Sequence, residues 1–95
     1  MHVLMIGQLT GKEYQHLLPE EGAFIAPLRA EGLVKDIYLT VDKAGKPAGP
    51  VLILADVTAD EARERMAELP FIVHDIATFD YTEMLLPPAG LTDNQ

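Results

Sequence analysis

Pro50-Val51-Leu52-Ile53-Leu54-Ala55-Asp56-Val57, followed at once by Thr58-Ala59-Asp60-Glu61, carries the fold assignment of this chain. The first segment is an unbroken apolar run bounded by proline and aspartate, the pattern of a strand buried on both faces. The second is a capping box: the Thr58 hydroxyl can accept from the Glu61 amide while the Glu61 carboxylate reaches back to the Thr58 amide. Ala59, Ala62, Met66 and Leu69 then recur at helical spacing, and Pro70 prevents continuation. A strand therefore feeds directly into a helix.

Working outward, Leu33–Val41 alternates, with Ile37, Leu39 and Val41 on one face and Asp36, Tyr38 and Thr40 on the other, which predicts a strand. The polar, turn-rich connector Asp42–Gly49 joins it to Pro50–Val57 as a hairpin. Before it, Pro19-Glu20-Glu21 reads as a helix start, with proline in the first turn and two carboxylates facing the positive end of the helix dipole. Phe24, Ile25 and Leu28 continue that helix to Glu31-Gly32, and Pro27 predicts a kink. His2–Leu9 is an apolar first strand, and Ile76–Leu85 a fourth, with Phe79 and Tyr81 on one face. Glu13–Leu18 makes a turn or two of helix at most.

The order is βαββαβ, an α+β chain with the split-βαβ outline: an antiparallel four-stranded sheet, two helices on one face, strands one and three in the middle. Those two strands, Val3-Leu4-Met5-Ile6 and Val51-Leu52-Ile53-Leu54, are apolar on both faces. The helix-free face thus needs a cover, and a second copy related by a two-fold axis supplies one. A homodimer follows, with higher assembly left open.

Bulk properties narrow the partners. Ninety-five residues make one domain, read as 1–86, with 87–95 as a tail. Seven Lys and Arg stand against fifteen Asp and Glu, a net charge of −8 that argues against nucleic acid and against an anionic membrane. No cysteine permits a disulfide or thiolate, and no serine permits serine-nucleophile hydrolysis. The apolar runs fall far short of a bilayer span, and no basic segment precedes the first, so a soluble, cytoplasmic protein is expected. Gly7 and Gly11 lack the rest of a phosphate-loop pattern, and no histidine pair at metal-binding spacing occurs, so neither a cofactor nor a metal is expected.

Several features together resemble a known group. Glu31-Gly32 precedes the second strand, Val51–Ala55 forms the third, Ala62-Arg63 sits in the second helix, and Leu69-Pro70-Phe71 closes it, well ahead of Phe79. With Leu18-Pro19-Glu20-Glu21 opening the first helix, residues 2–86 resemble the muconolactone isomerase-like and YCII-related proteins of the dimeric α+β barrel superfamily. The resemblance implies ferredoxin-like subunits packed sheet to sheet, each with a pocket between sheet and helices. Some YCII-like proteins share a His–Asp pair on the first helix; the corresponding positions here hold Glu21 and Ala30.

Candidate chemistry rests on few side chains. His74-Asp75, between the second helix and the last strand, offers a general base for moving a proton alpha to a carbonyl; a polar turn is the competing reading. Glu21 becomes an acid–base group if an apolar pocket raises its pKa, and otherwise simply complements the helix dipole. Phe24, Phe71 and Phe79 are candidate pocket walls, Tyr38 and Tyr81 bring hydroxyls, and Tyr14 with His16 is placed at the pocket mouth. Aromatics at these spacings are more often simply core, and the competing reading of His16 is an exposed loop residue. The expectation is a cofactor-independent, muconolactone isomerase-like enzyme acting by proton transfer on a small apolar carbonyl compound, with a non-catalytic, small-ligand-binding or structural dimer as the alternative.

Overall fold

The computed structural model describes residues 1–87; of the expected tail, 88–95 lies outside the described residues. Four strands, β1 (His2–Leu9), β2 (Val34–Val41), β3 (Pro47–Ala55) and β4 (Ala77–Met84), form one antiparallel sheet in the order β2-β3-β1-β4. A 3₁₀ turn at Gln15–Leu17 leads into α1 (Leu18–Ala30); α2 (Ala59–Arg65) and a single-turn α3 (Pro70–Val73) connect β3 to β4. The architecture is the ferredoxin-like α+β fold.

The core follows from the two central strands. Val3 pairs with Leu54 and Met5 with Leu52, and all four are at most 1% exposed. Ile25 of α1, Ala62 of α2, and Met66 and Leu69 after it close over them on one side. The opposite face presents Leu4 and Ile6 of β1 beside Ile53 and Val51 of β3, with Ile6 still 41% exposed.

Local chemistry sets the boundaries. The Thr58 capping box is present in both directions, Thr58 Oγ1 accepting from Glu61 N at 3.1 Å and Glu61 Oε1 from Thr58 N at 2.9 Å. Glu83 of β4 also accepts from the Ala59 amide, 2.8 Å away, which ties α2 to the edge of the sheet. The second helix is shorter than the helical spacing through Leu69 predicts. It ends at Arg65, because Pro70 forces Leu69 into an extended conformation (ψ 127°) and then starts α3. Met66 and Leu69 nevertheless remain fully buried. The third strand begins at Pro47, earlier than Pro50, because Asp42 Oδ1 accepts from the amides of Ala44 and Lys46 and closes the hairpin within Asp42–Lys46. Helix α1 runs through Pro27, whose missing amide leaves the carbonyl one turn earlier, on exposed Ala23, to water.

Two glycines allow the central strands to meet. A Cβ on Gly49 would lie 2.0 Å from the Gly7 carbonyl oxygen, and one on Gly7 would lie 2.6 Å from the Phe79 ring. The β1–β3 ladder stops at Ile6–Val51, where the next residue, Pro50, has no amide hydrogen to donate. Gly49→Ala is therefore expected to cost roughly 1–3 kcal/mol at the least, because the clash is with backbone. Gly22→Ala, on an open helix surface, should instead stabilise by about 0.5–1 kcal/mol. Urea unfolding of the two variants measures both; equal stability would refute this account of the strand crossing.

Candidate functional site

The helices do not cover the sheet evenly. Toward the β2 edge a cavity of about 340 Å³ opens between α1 and the strands, within the size range of small-molecule sites. Its floor is Ile37 and Leu39 of β2 with Pro50 and Leu52 of β3; its roof is Leu18, Glu21 and Ile25 of α1. Leu9, Tyr14, Tyr38 and Phe71 complete the wall, and Tyr14 stacks edge-on against Phe71 with ring centres 5.7 Å apart.

Glu21 is the single buried charged residue among the described residues, 9% exposed. Helical spacing puts it one turn before Ile25, so the face that packs Ile25 into the core carries the carboxylate inward as well. Glu21 Oε1 accepts from the Phe71 amide at 3.1 Å, one of the amides left free at the start of α3. Oε2 has no hydrogen-bond partner among the described residues, yet no unpartnered side-chain oxygen there is fully enclosed; Oε2 therefore reaches accessible space. Loss of hydration raises the Glu21 pKa to about 7, against a smaller lowering by the Phe71 amide.

The structure gathers some of the anticipated residues and separates others. Glu21, Tyr14, Tyr38 and Phe71 meet at the cavity. His74 caps α3, and it and Asp75 are exposed; Asp75 has φ +55° and sits 4.0 Å from Lys12. His16 is exposed and bonded through Nδ1 to Glu13 at 2.6 Å. Phe24 packs on the main core, while Phe79 and Tyr81 line a separate, more open groove with Asp75, where Arg63 lies 5.2 Å from the Tyr81 ring centre. Burial raises the Tyr81 pKa, partly offset by Arg63. The aliphatic walls were not anticipated, although the alternation of Ile37 and Leu39 marks the strand face that forms the floor. Among the described residues no group of three or more His, Cys, Asp or Glu side chains is placed to hold a metal, and no helix is long and apolar enough to cross a membrane.

No protein-family model and no curated protein sequence matches this chain. Among solved structures it is similar to 5-chloro-2-hydroxyhydroquinone dehydrochlorinase from Burkholderia phenoliruptrix, in complex with 2,5-dihydroxybenzoquinone. The TM-score is 0.70 at 16% identity, over 90% of this chain and 94% of the other. At that identity the likeness establishes a shared fold.

The buried carboxyl has a thermodynamic signature. A folded-state pKa raised from 4.5 to about 7 means that the native protein holds a proton the unfolded chain releases. The contribution of this group to stability should thus be most favourable below about pH 4.5, fall as pH rises, and level off above about pH 7, a change of up to about 3 kcal/mol. Chemical denaturation across pH 4–8 should show the slope in the wild type and its loss in Glu21→Gln.

Proposed function

We propose that the chain is a cofactor-independent enzyme of the muconolactone isomerase-like kind, which moves a proton on a small apolar carbonyl compound held between α1 and the sheet. The observation that carries this reading is the placement of one buried carboxyl, with a free oxygen, in an otherwise apolar cavity. A carboxyl with pKa near 7 is half-ionised at neutral pH and can serve as base and then as acid.

In the proposed reaction the ionised Glu21 takes a proton from the carbon alpha to the carbonyl, leaving an enolate. The carboxylic acid so formed, whose proton exchanges with solvent, protonates the gamma carbon, which shifts the double bond and regenerates the carboxylate. The apolar walls strengthen the carboxyl's interactions by excluding water. The likeness in fold to a dehydrochlorinase solved with a hydroxyquinone supports a small cyclic oxygenated substrate. His74 and Asp75 were the competing acid–base pair; their exposure outside the cavity favours Glu21.

The second reading, a non-catalytic ligand-binding dimer, draws on one feature: among the described residues the Glu21 carboxylate is bonded only to a backbone amide, with no second acid–base side chain on it. Incubating the protein in D₂O with a β,γ-unsaturated γ-lactone separates the two. The enzyme reading expects conversion to the α,β isomer with deuterium incorporation, reduced about 10²–10⁴-fold in kcat by Glu21→Gln and little changed by His74→Ala. Binding without conversion would favour the second reading, and loss of conversion only in His74→Ala would move the site.

Both readings use a homodimer joined through the helix-free face, where Leu4, Ile6, Val51 and Ile53 form an apolar strip across the two central strands. Sedimentation equilibrium should give twice the 10.4 kDa chain mass for the wild type. Ile6→Glu should shift it to the monomer, and a monomeric wild type would exclude this assembly.

A further inference from the structure

The cavity's charge is as informative as its shape. Of the residues lining it, none is Lys, Arg or His; the ionisable ones are Glu21, Tyr14 and Tyr38. Of the chain's seven Lys and Arg, Lys12 pairs with Asp75, Arg63 with Asp60 and Arg65 with Glu31, while Arg29, Lys35, Lys43 and Lys46 are not among the residues that line the cavity. Residues 88–95 contain no basic residue. A carboxylate or phosphate entering this site would exchange its hydration for aliphatic walls and meet a carboxylate of its own sign, with nothing to balance it. The net charge of −8 opposes its approach as well.

On the premise that the cavity is the ligand site, we propose that it selects uncharged ligands and rejects carboxylated or phosphorylated ones. Its substrate class is a neutral single-ring compound with a hydroxyl that donates to Glu21 Oε2, or a carbonyl that accepts from it when Glu21 is protonated. This separates the protein's specificity from that of any site built for a lactone that bears a carboxylate. Oε1 is already held by the Phe71 amide, so Oε2 is the Glu21 oxygen left to orient the ring. The remainder of the ligand contacts Ile25, Ile37, Leu39 and Leu52, which discriminate by size and apolarity rather than by hydrogen bonding.

A matched pair of probes tests this: methyl 4-(hydroxymethyl)benzoate and free 4-(hydroxymethyl)benzoate, equal in ring and differing in charge, titrated by calorimetry and ligand-observed NMR at pH 8. The ester is expected to bind at least about 30-fold more tightly. Leu39→Lys, at a position already 55% exposed and therefore tolerant of a charge, should narrow that ratio at least about tenfold by favouring the acid. Equal or tighter binding of the acid by the wild type, competed away in Ile25→Trp, which fills the cavity, would overturn the charge selection while leaving the site in place. Binding of neither probe, or binding of both that ignores Ile25→Trp in a protein with intact thermal unfolding, would overturn the site itself and this inference with it.

Discussion

The antiparallel pairing of β1 with β3 is the constraint on which the other elements depend. Val3 opposite Leu54 and Met5 opposite Leu52 form a fully buried quartet. Four residues of the helical layer close the main core by packing on or beside it: Ile25 from α1, Ala62 from α2, and Met66 and Leu69 from the turn that follows. In a chain of this size apolar burial is limited, so a paired apolar centre of this kind contributes a large share of the favourable free energy. It also fixes the sheet order, since the two edge strands have only the outer sides of this pair to join. The cost appears at the far end of the pair, where Gly7 and Gly49 must do without side chains for the backbones to pass.

From the same constraint comes the cavity. Helix α1 follows Leu17 and Ile25 into the core, but Ile37 and Leu39 of β2, at the sheet edge, remain partly uncovered at 38% and 55% exposure. A sheet wider than the helices that cover it leaves an apolar shelf, and α1 overhangs that shelf with Glu21. The carboxyl is anchored there by an amide from α3, an element that exists because Pro70 interrupts the helical run and begins a new turn. The position of the acid thus depends on three distant parts of the chain: the first turn of α1, the break after Met66, and the edge strand. That junction places a group with a neutral-range pKa against hydrocarbon, a combination more often found at functional sites than in stable cores.

Much of this was legible in the residues. The capping box at Thr58, the alternation of Leu33–Val41 and the doubly apolar central strands are local patterns with local causes, and the observed elements match them. The pattern that misled was the spacing of Ala62, Met66 and Leu69. All three are buried, as a single helix would have them, but two of them reach the core from the turn after Arg65. Helical spacing reports which residues face inward, whereas the conformation that brings them there is set by the proline ahead.

The site was legible as a set of residue types and not as a place. Glu21, His74 and Asp75 are equally ionisable on paper, and Tyr14, Phe24, Phe71 and Phe79 are equally aromatic. What distinguishes Glu21 is loss of water, and desolvation is a property of packing among residues far apart in sequence: Phe71 lies fifty positions away. The amino-acid sequence by itself determined the order of the strands and the two main helices, the sheet's central pair and the starts of α1 and α2, because these follow from periodicity, capping and backbone chemistry within a few residues. Only the tertiary structure decided which acid is buried, which aromatics wall the cavity and which remain in the core, because burial is settled by contacts between segments that no local pattern encodes.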